Sequence, residues 1–363
     1  MSNRKEQFIK TLSALDDAIG VSGNEEEVAE ILRAQMTPLC DEHFEDALGN
    51  QFFVKHGTDR SRRILFASHM DEIGFIINNI EERGFARIFP VGFHDERNVI
   101  NQHLTFVTAS GKKVRGVTGA KPFCPAEPND CNPVKHCMPL CEIFVDFGTN
   151  SAEATRALGI EIGDYGAYSC KGYELNGSGL YTGKSLDNRA GLTVMVEAMR
   201  QLCDIKKIIP DVYMAGTVQE EVGMRSGAPI TARVNPELML AIDITFAGDM
   251  PYSEYVCSQK IGGGVCIKFY DWAPALGMAG NNVPRKLTKR MIEVAQKHGI
   301  PFQREVIMRG GTDAWSAQGA LHGVLAGAVG IPLRYVHSAT GVISVQDLET
   351  CADFIVKFLA DYN

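Results

Sequence analysis

The chain has no basic excess: 36 Lys and Arg stand against 44 Asp and Glu, a formal net charge of −8. Charge of that sign repels phosphates, which argues against nucleic acid as a partner. No run approaches 18 apolar residues, so no membrane span is expected. The first residues, Met1-Ser2-Asn3-Arg4-Lys5-Glu6-Gln7-Phe8, lack the apolar stretch of a secretory signal. The ten cysteines include no C-x-x-C pair. Cys124, Cys131, Cys137 and Cys141, with His136, therefore read as free thiols in a loop rather than as a structural zinc site. Gly310-Gly311-Thr312-Asp313 lacks both the Lys-Ser/Thr of a phosphate loop and the dinucleotide glycine spacing, and reads as a loop shaping a pocket. Together these absences point to a cytoplasmic protein with reduced cysteines.

What is there is ordinary for a globular enzyme. Hydrophobic residues make up 45% and charged residues 22%, and 363 residues are enough for two domains. Phe8, Ile9, Leu12 and Leu15 recur at helical spacing. Ser22-Gly23-Asn24-Glu25 is a capping-box pattern opening a second helix with Val28, Ile31 and Leu32 on its apolar face. From about Glu72 to Gly179 short alternating segments are separated by turns, the rhythm of a small antiparallel β domain. Before and after it the pattern is α/β. A long helix is expected after Ser185, strands at Val212–Val218, Leu238–Ile242, Val324–Val329 and Leu333–Val336, and helices over Pro284–His298 and from Val345. The expected fold is a mixed, largely parallel sheet flanked by helices. Residues 1–71 and 180–363 form a catalytic domain, with 72–179 inserted as an assembly domain kept apart from the chemistry.

Chemistry-bearing residues gather at strand ends. His69 follows Ile64–Ser68, Glu220 and Glu221 follow Val212–Val218, Asp243 closes Leu238–Ile242, and His337 closes Leu333–Val336. In a parallel sheet such ends meet at one edge, where ligands bind. Asp187 joins them at the start of a helix. Each residue alone has a blander explanation: a core histidine, a first-turn carboxylate, a turn aspartate. Adjacent Glu220 and Glu221 are harder to dismiss, because they repel each other and call for a cation. His69, Asp187 and Asp243 would supply one ion and Asp187, Glu221 and His337 a second. Three protein ligands each leave room for a shared water, as in catalytic sites. Glu220 is then free to act as general base. Asp71 is placed to accept the second ring N–H of His69 and fix its orientation.

The segments Ser68-His69-Met70-Asp71-Glu72-Ile73-Gly74-Phe75, Leu186-Asp187-Asn188-Arg189-Ala190-Gly191, Gln219-Glu220-Glu221-Val222-Gly223, Gly310-Gly311-Thr312-Asp313-Ala314 and Pro332-Leu333-Arg334-Tyr335-Val336-His337-Ser338 resemble the M42 family of metallo-aminopeptidases. The match spans nearly the whole chain. The resemblance implies two zinc or cobalt ions, peptide substrates, the same ligand set with Asp187 bridging, and Glu220 as base. It also implies homo-oligomers: dimers built by the inserted domain, which can form dodecamers. Three departures bear on substrate preference. Arg225-Ser226-Gly227-Ala228 stands where members read Arg-Gly-Ala, Gly341 stands where a glutamate follows the last histidine, and Lys121-Pro122-Phe123-Cys124 replaces Lys-Pro-Pro-His. A carboxypeptidase or deacylase, and a non-catalytic oligomeric binding protein, remain as alternatives. Polysaccharide hydrolysis would need two carboxylates about 5–9.5 Å apart flanking the bond, whereas here metals account for the carboxylates.

Overall fold

The computed structural model describes residues 2–120, 139–205, 207–253, 257–273 and 280–362. Cys124, Cys131, His136 and Cys137, and the departure at Lys121–Cys124, lie outside them. The chain opens with helices α1 (Ser2–Asp16) and α2 (Glu26–Met36) and strands β1 (Glu42–Glu45), β2 (Gln51–Lys55) and β3 (Asp59–His69). Next come β4 (Gly74–Ile80), β5 (Ala86–Val91), β6 (His103–Val107), β7 (Lys113–Gly119), β8 (Phe144–Asp146), the short helix α3 (Ala152–Ala157) and β9 (Tyr165–Tyr168). After β10 (Tyr173–Glu174) and β11 (Leu180–Gly183) the chain forms α4 (Leu186–Cys203), β12 (Pro210–Thr217), α5 (Gly227–Val234), β13 (Leu238–Phe246) and β14 (Val265–Asp271). It ends with α6 (Arg285–Lys297), β15 (Phe302–Ile307), α7 (Ala314–Gln318), β16 (Leu325–Arg334), β17 (Gly341–Ser344) and α8 (Val345–Ala360).

The large sheet runs β1-β2-β12-β3-β13-β16-β17-β11-β10, with β15 paired to β14 and β14 to β16. Its centre, β12-β3-β13-β16, is parallel. These strands are buried on both faces, as their near-continuous apolar runs require. Alternation sorts the side chains. Ile64 and Phe66 of β3 and Leu238, Leu240 and Ile242 of β13 join α1, α4 and α8 on one face. Leu65, Ala67, Met239 and Ala241 meet α5 and α7 on the other. Each fully buried Leu, Ile or Phe contributes about 1.5–3 kcal/mol of transfer free energy. A separate antiparallel barrel, β4-β5-β8-β7-β6-β9, encloses its own core of Phe75, Ile88, Leu104, Phe106 and Val145. The fold is thus mixed α/β, a large sheet flanked by helices together with a small antiparallel barrel. Among the described residues no helix is long and apolar enough to cross a membrane.

Three local expectations change. Helix α2 begins at Glu26 with no side-chain cap, and Ser22 and Glu25 bond elsewhere. Asp243 does not end its strand, because β13 continues to Phe246 alongside β16. The two strands expected around Pro332 are one. Pro332 lies between Gly330, paired with β14, and Leu333, paired with β17, so its missing donor falls where neither of these ladders is registered.

Candidate metal centre

His69 is the last residue of β3, and its register partner on β12 is Thr217. Ala67 pairs with Ala241 on β13, so two residues further on Asp243 comes level with His69. Glu220 and Glu221 follow β12 by a few residues, and His337 follows β16. Asp187 arrives from the first turn of α4, where Asp187 and Asn188 have non-helical backbone angles and the bond between them is cis. Asn188 then acts as the helix cap: its amide oxygen accepts from Gly191 N at 2.9 Å. Its NH2 group donates to Ile242 O at 2.9 Å, tying α4 to β13. Only glycine fits at 191, since a Cβ there would stand 2.4 Å from Ser68 Oγ and 2.5 Å from Ile242 O.

The expected residues come together as two donor groups sharing Asp187. His69, Asp187 and Asp243 form one, and Asp187, Glu221 and His337 the other, each with donor atoms within 4.8 Å of one another. His69 Nε2 lies 3.1 Å from Asp187 Oδ1 and 3.7 Å from Asp243 Oδ1. His337 Nε2 lies 3.3 Å from both Asp187 Oδ2 and Glu221 Oε2. The opposite ring nitrogens face backbone carbonyls: His69 Nδ1 is 3.0 Å from Asp71 O, and His337 Nδ1 is 2.8 Å from Phe93 O. A carbonyl only accepts, so each Nδ1 carries a hydrogen. In the neutral ring, Nε2 then offers its lone pair toward the carboxylates.

Asp71 is fully buried. Its carboxylate accepts from Ser22 Oγ at 2.6 Å and from the amides of Glu220 and Glu221 at 3.0 and 3.1 Å. It stands 3.5 Å from His69 Nδ1, so the ring's closer partner is the Asp71 backbone, not its side chain. Burial alone would raise the Asp71 carboxyl, but His69, Ser22 and the Glu220 amide hold it below the usual range. Glu25 accepts from Gly23 N and Gln219 N at 2.7 and 3.2 Å, and burial pushes its carboxyl up to about 7. These two residues of the capping-box pattern thus brace the loop that carries Glu220 and Glu221.

Burial pushes Glu220, Glu221 and Asp243 upward, Glu220 most strongly, because Asp243, Glu221 and Asp313 crowd it against the pull of His69. For Asp187 burial acts in the same direction, yet the two imidazoles outweigh it and hold this carboxyl well below its ordinary value. Burial would lower His69 and His337, but the surrounding carboxylates raise both well above the normal imidazole value. Asp313, from the Gly310–Asp313 loop, is pushed by burial up to about 6; it accepts from Thr217 Oγ1 at 2.6 Å. Glu221 Oε1 and Asp313 Oδ1 are buried with no hydrogen-bond partner among the described residues. Carboxylates outnumber imidazoles here, and orphaned oxygens remain, so the donor set fits divalent cations.

Several contributors were not singled out from the sequence for the part they play. Glu72 accepts from Lys184 Nζ at 2.7 Å and Arg189 Nη2 at 3.2 Å, all three buried, which clamps the start of α4 against the residue after Asp71. The inserted segment, expected to stay out of the site, supplies the Phe93 carbonyl to His337. Ser226, one of the departures, is fully buried and donates to Val218 O at 2.7 Å. Gly341, another, lines a small recess beside Asp187, Glu221 and His337.

An open α/β sheet whose parallel edge collects imidazoles and carboxylates from separate strands puts a cation-binding donor set where α/β enzymes hold their ligands. The sequence profile of the M42 glutamyl aminopeptidase family matches residues 49–354, and the chain belongs to that family. It is an aminopeptidase, a hydrolase acting on peptides. The chain is 31% identical to the lysyl aminopeptidase of Pyrococcus furiosus over 332 residues, 91% of this chain and 90% of that one. An aminopeptidase from the archaeon Desulfurococcus kamchatkensis superposes with a TM-score of 0.91 at 32% identity, covering 99% and 96% of the two chains. The Pyrococcus horikoshii TET1 peptidase, described as assembling into a tetrahedron or a large octahedral shell, superposes with a TM-score of 0.84 at 29% identity, covering 97% and 99%.

Proposed function

We propose that this aminopeptidase is co-catalytic, with two divalent ions, zinc or cobalt, per subunit and Glu220 as general base. The observation that carries the reading is the pair of histidines fixed through Nδ1, with Nε2 turned to a shared Asp187. His69, Asp187 and Asp243 would hold one ion and Asp187, Glu221 and His337 the other. The chemistry such ions supply is polarisation of a carbonyl, a lowered water pKa and compensation of developing negative charge.

The chain's own groups do the rest. Glu220, crowded by carboxylates and outside both donor groups, takes the proton of the attacking water and returns it to the departing amine nitrogen. Asp71 fixes the Glu220 and Glu221 backbone through their amides. Substrates are short peptides with a free N-terminus, in keeping with the family. The free cysteines among the described residues, Cys40, Cys141, Cys170, Cys203, Cys257, Cys266 and Cys351, fit a reducing cytoplasm. Residues 72–179 serve subunit assembly, dimeric or larger up to a dodecamer, supported by the likeness to the assembling TET1 peptidase and by exposed Phe89 and Val117 on the barrel.

The test is one peptide in two forms, with free and acetylated N-terminus, given to metal-free protein reloaded with zinc or cobalt. Release of the first residue from the free form alone is expected. Release of the C-terminal residue, or equal cleavage of both forms, would contradict the reading.

A further inference from the structure

The two imidazoles of the site are held from different parts of the molecule. His69 Nδ1 faces an acceptor two residues away, Asp71 O at 3.0 Å. That turn is fastened by the large sheet's own surroundings: Ser22 Oγ donates to the Asp71 carboxylate, and Arg189 Nη1 donates to Met70 O. His337 is held differently. Its Nδ1 donates to Phe93 O at 2.8 Å, 244 residues away in sequence, in the connection between β5 and β6 of the barrel. The backbone at His337 is strained as well. Tyr335 and His337 both sit at φ +58°, a left-handed conformation that a residue with a Cβ keeps only where its surroundings enforce it. Ala339, two residues on, packs against the barrel core. The barrel thus touches this loop twice, once through a carbonyl and once through packing.

The Phe93 carbonyl belongs to the peptide that joins Phe93 to His94, and His94 is anchored in the barrel. Its ring stacks on buried Phe75 with centroids 4.5 Å apart. Nε2 donates to Gly74 O at 2.8 Å, and the hydroxyl of buried Tyr168 donates to Nδ1 at 3.5 Å. Burial pushes this imidazole down to about 4, so it is neutral at pH 7 and carries its hydrogen on Nε2. Behind Phe93, Gly92 at φ +84° lies so close to Ile73 that a Cβ would stand 2.6 Å from its Cγ2. One flank of the peptide is therefore fixed by a ring and the other by close backbone packing.

Resting on the two-ion reading above, we propose that His94 is a positioning residue for one ion only. It fixes the Phe93–His94 peptide, whose carbonyl orients His337, and so makes the barrel a determinant of affinity at the Asp187–Glu221–His337 group. The His69–Asp187–Asp243 group draws its orientation from Asp71 O and is independent of His94. An acceptor on the far ring nitrogen fixes the tautomer and direction of a ligating histidine, and its loss lowers metal affinity by about 10–100-fold.

The experiment titrates metal-free protein with zinc against a chelating competitor and reads the affinity of each equivalent. Two equivalents should bind to wild type. In His94→Ala one of them should weaken by about 10–100-fold, while the other keeps its wild-type affinity. His94→Phe keeps the stack on Phe75 without the bond to Gly74 O; it should show the same split, and it carries the test if the alanine variant does not fold. His94→Gln, whose amide nitrogen can stand in for Nε2, should recover most of the affinity. Added to Glu221→Gln, His94→Ala should leave the surviving ion unchanged; added to Asp243→Asn, it should weaken it. An equal loss of both equivalents would overturn the proposal and make His94 a residue of the fold alone. Unchanged affinities in the alanine and phenylalanine variants would overturn it too, as would a loss confined to the ion that survives Glu221→Gln. If wild type binds fewer than two equivalents, the two-ion reading has failed on its own, before any variant is compared.

Discussion

In the proposed mechanism Glu220 moves a proton while its neighbour Glu221 holds a cation, and Asp71 keeps both in place by accepting their two amides at 3.0 and 3.1 Å. Glu220→Gln keeps the shape and removes the basicity. Turnover should drop by at least ~100-fold, the scale of lost general-base catalysis, while metal content by atomic emission stays that of wild type. Normal turnover, or loss of metal, would reject the division of labour. His69, Glu220, Glu221, Asp243 and His337 were legible because each follows an apolar run that reads as a strand. Ser22 and Glu25 were not, because their spacing is also that of a local cap; in the fold Asp71 and the Gln219 amide win these side chains. The Phe93 contribution is a backbone carbonyl, which no side-chain pattern announces.

At the scale of elements the site depends on how α4 meets the sheet. The helix pattern after Ser185 was clear, but the break that turns Asp187 toward both histidines arises from tertiary contacts: Asn188 bonds Ile242 O, and Gly191 allows contact with Ser68. Asp243 was placed at a strand end because its neighbours are apolar only as far as Ile242; pairing with β16 carries the strand on to Phe246. The Glu72–Lys184–Arg189 clamp holds this junction with almost no exposure. Glu72→Gln would leave two buried cations facing a neutral amide. We expect a destabilisation of about 3–5 kcal/mol, the usual consequence of breaking a buried charge network, read as a lower urea midpoint with unchanged slope. A loss below about 1 kcal/mol would show that the clamp does not hold the junction.

For the whole molecule, the two cores were separable in the sequence because the apolar period changes from helix-and-strand alternation to short period-2 segments. What did not show was that the β segment reaches back to the centre through Gly92 and Phe93. Deleting it would therefore disturb the site, and surface changes test assembly more cleanly. Phe89→Ser with Val117→Ser, both exposed on the barrel, should give a smaller particle by light scattering with metal still bound; an unchanged mass would remove the barrel face from the assembly. The central claim concerns a number of ions, and it is tested by titrating metal-free protein with zinc or cobalt while following bound metal per subunit and cleavage of a free-amino peptide together. The account predicts that activity saturates at two equivalents per subunit, with neither reached in Asp187→Asn. Full activity at one equivalent or none, or two ions bound as before in Asp187→Asn, would contradict it.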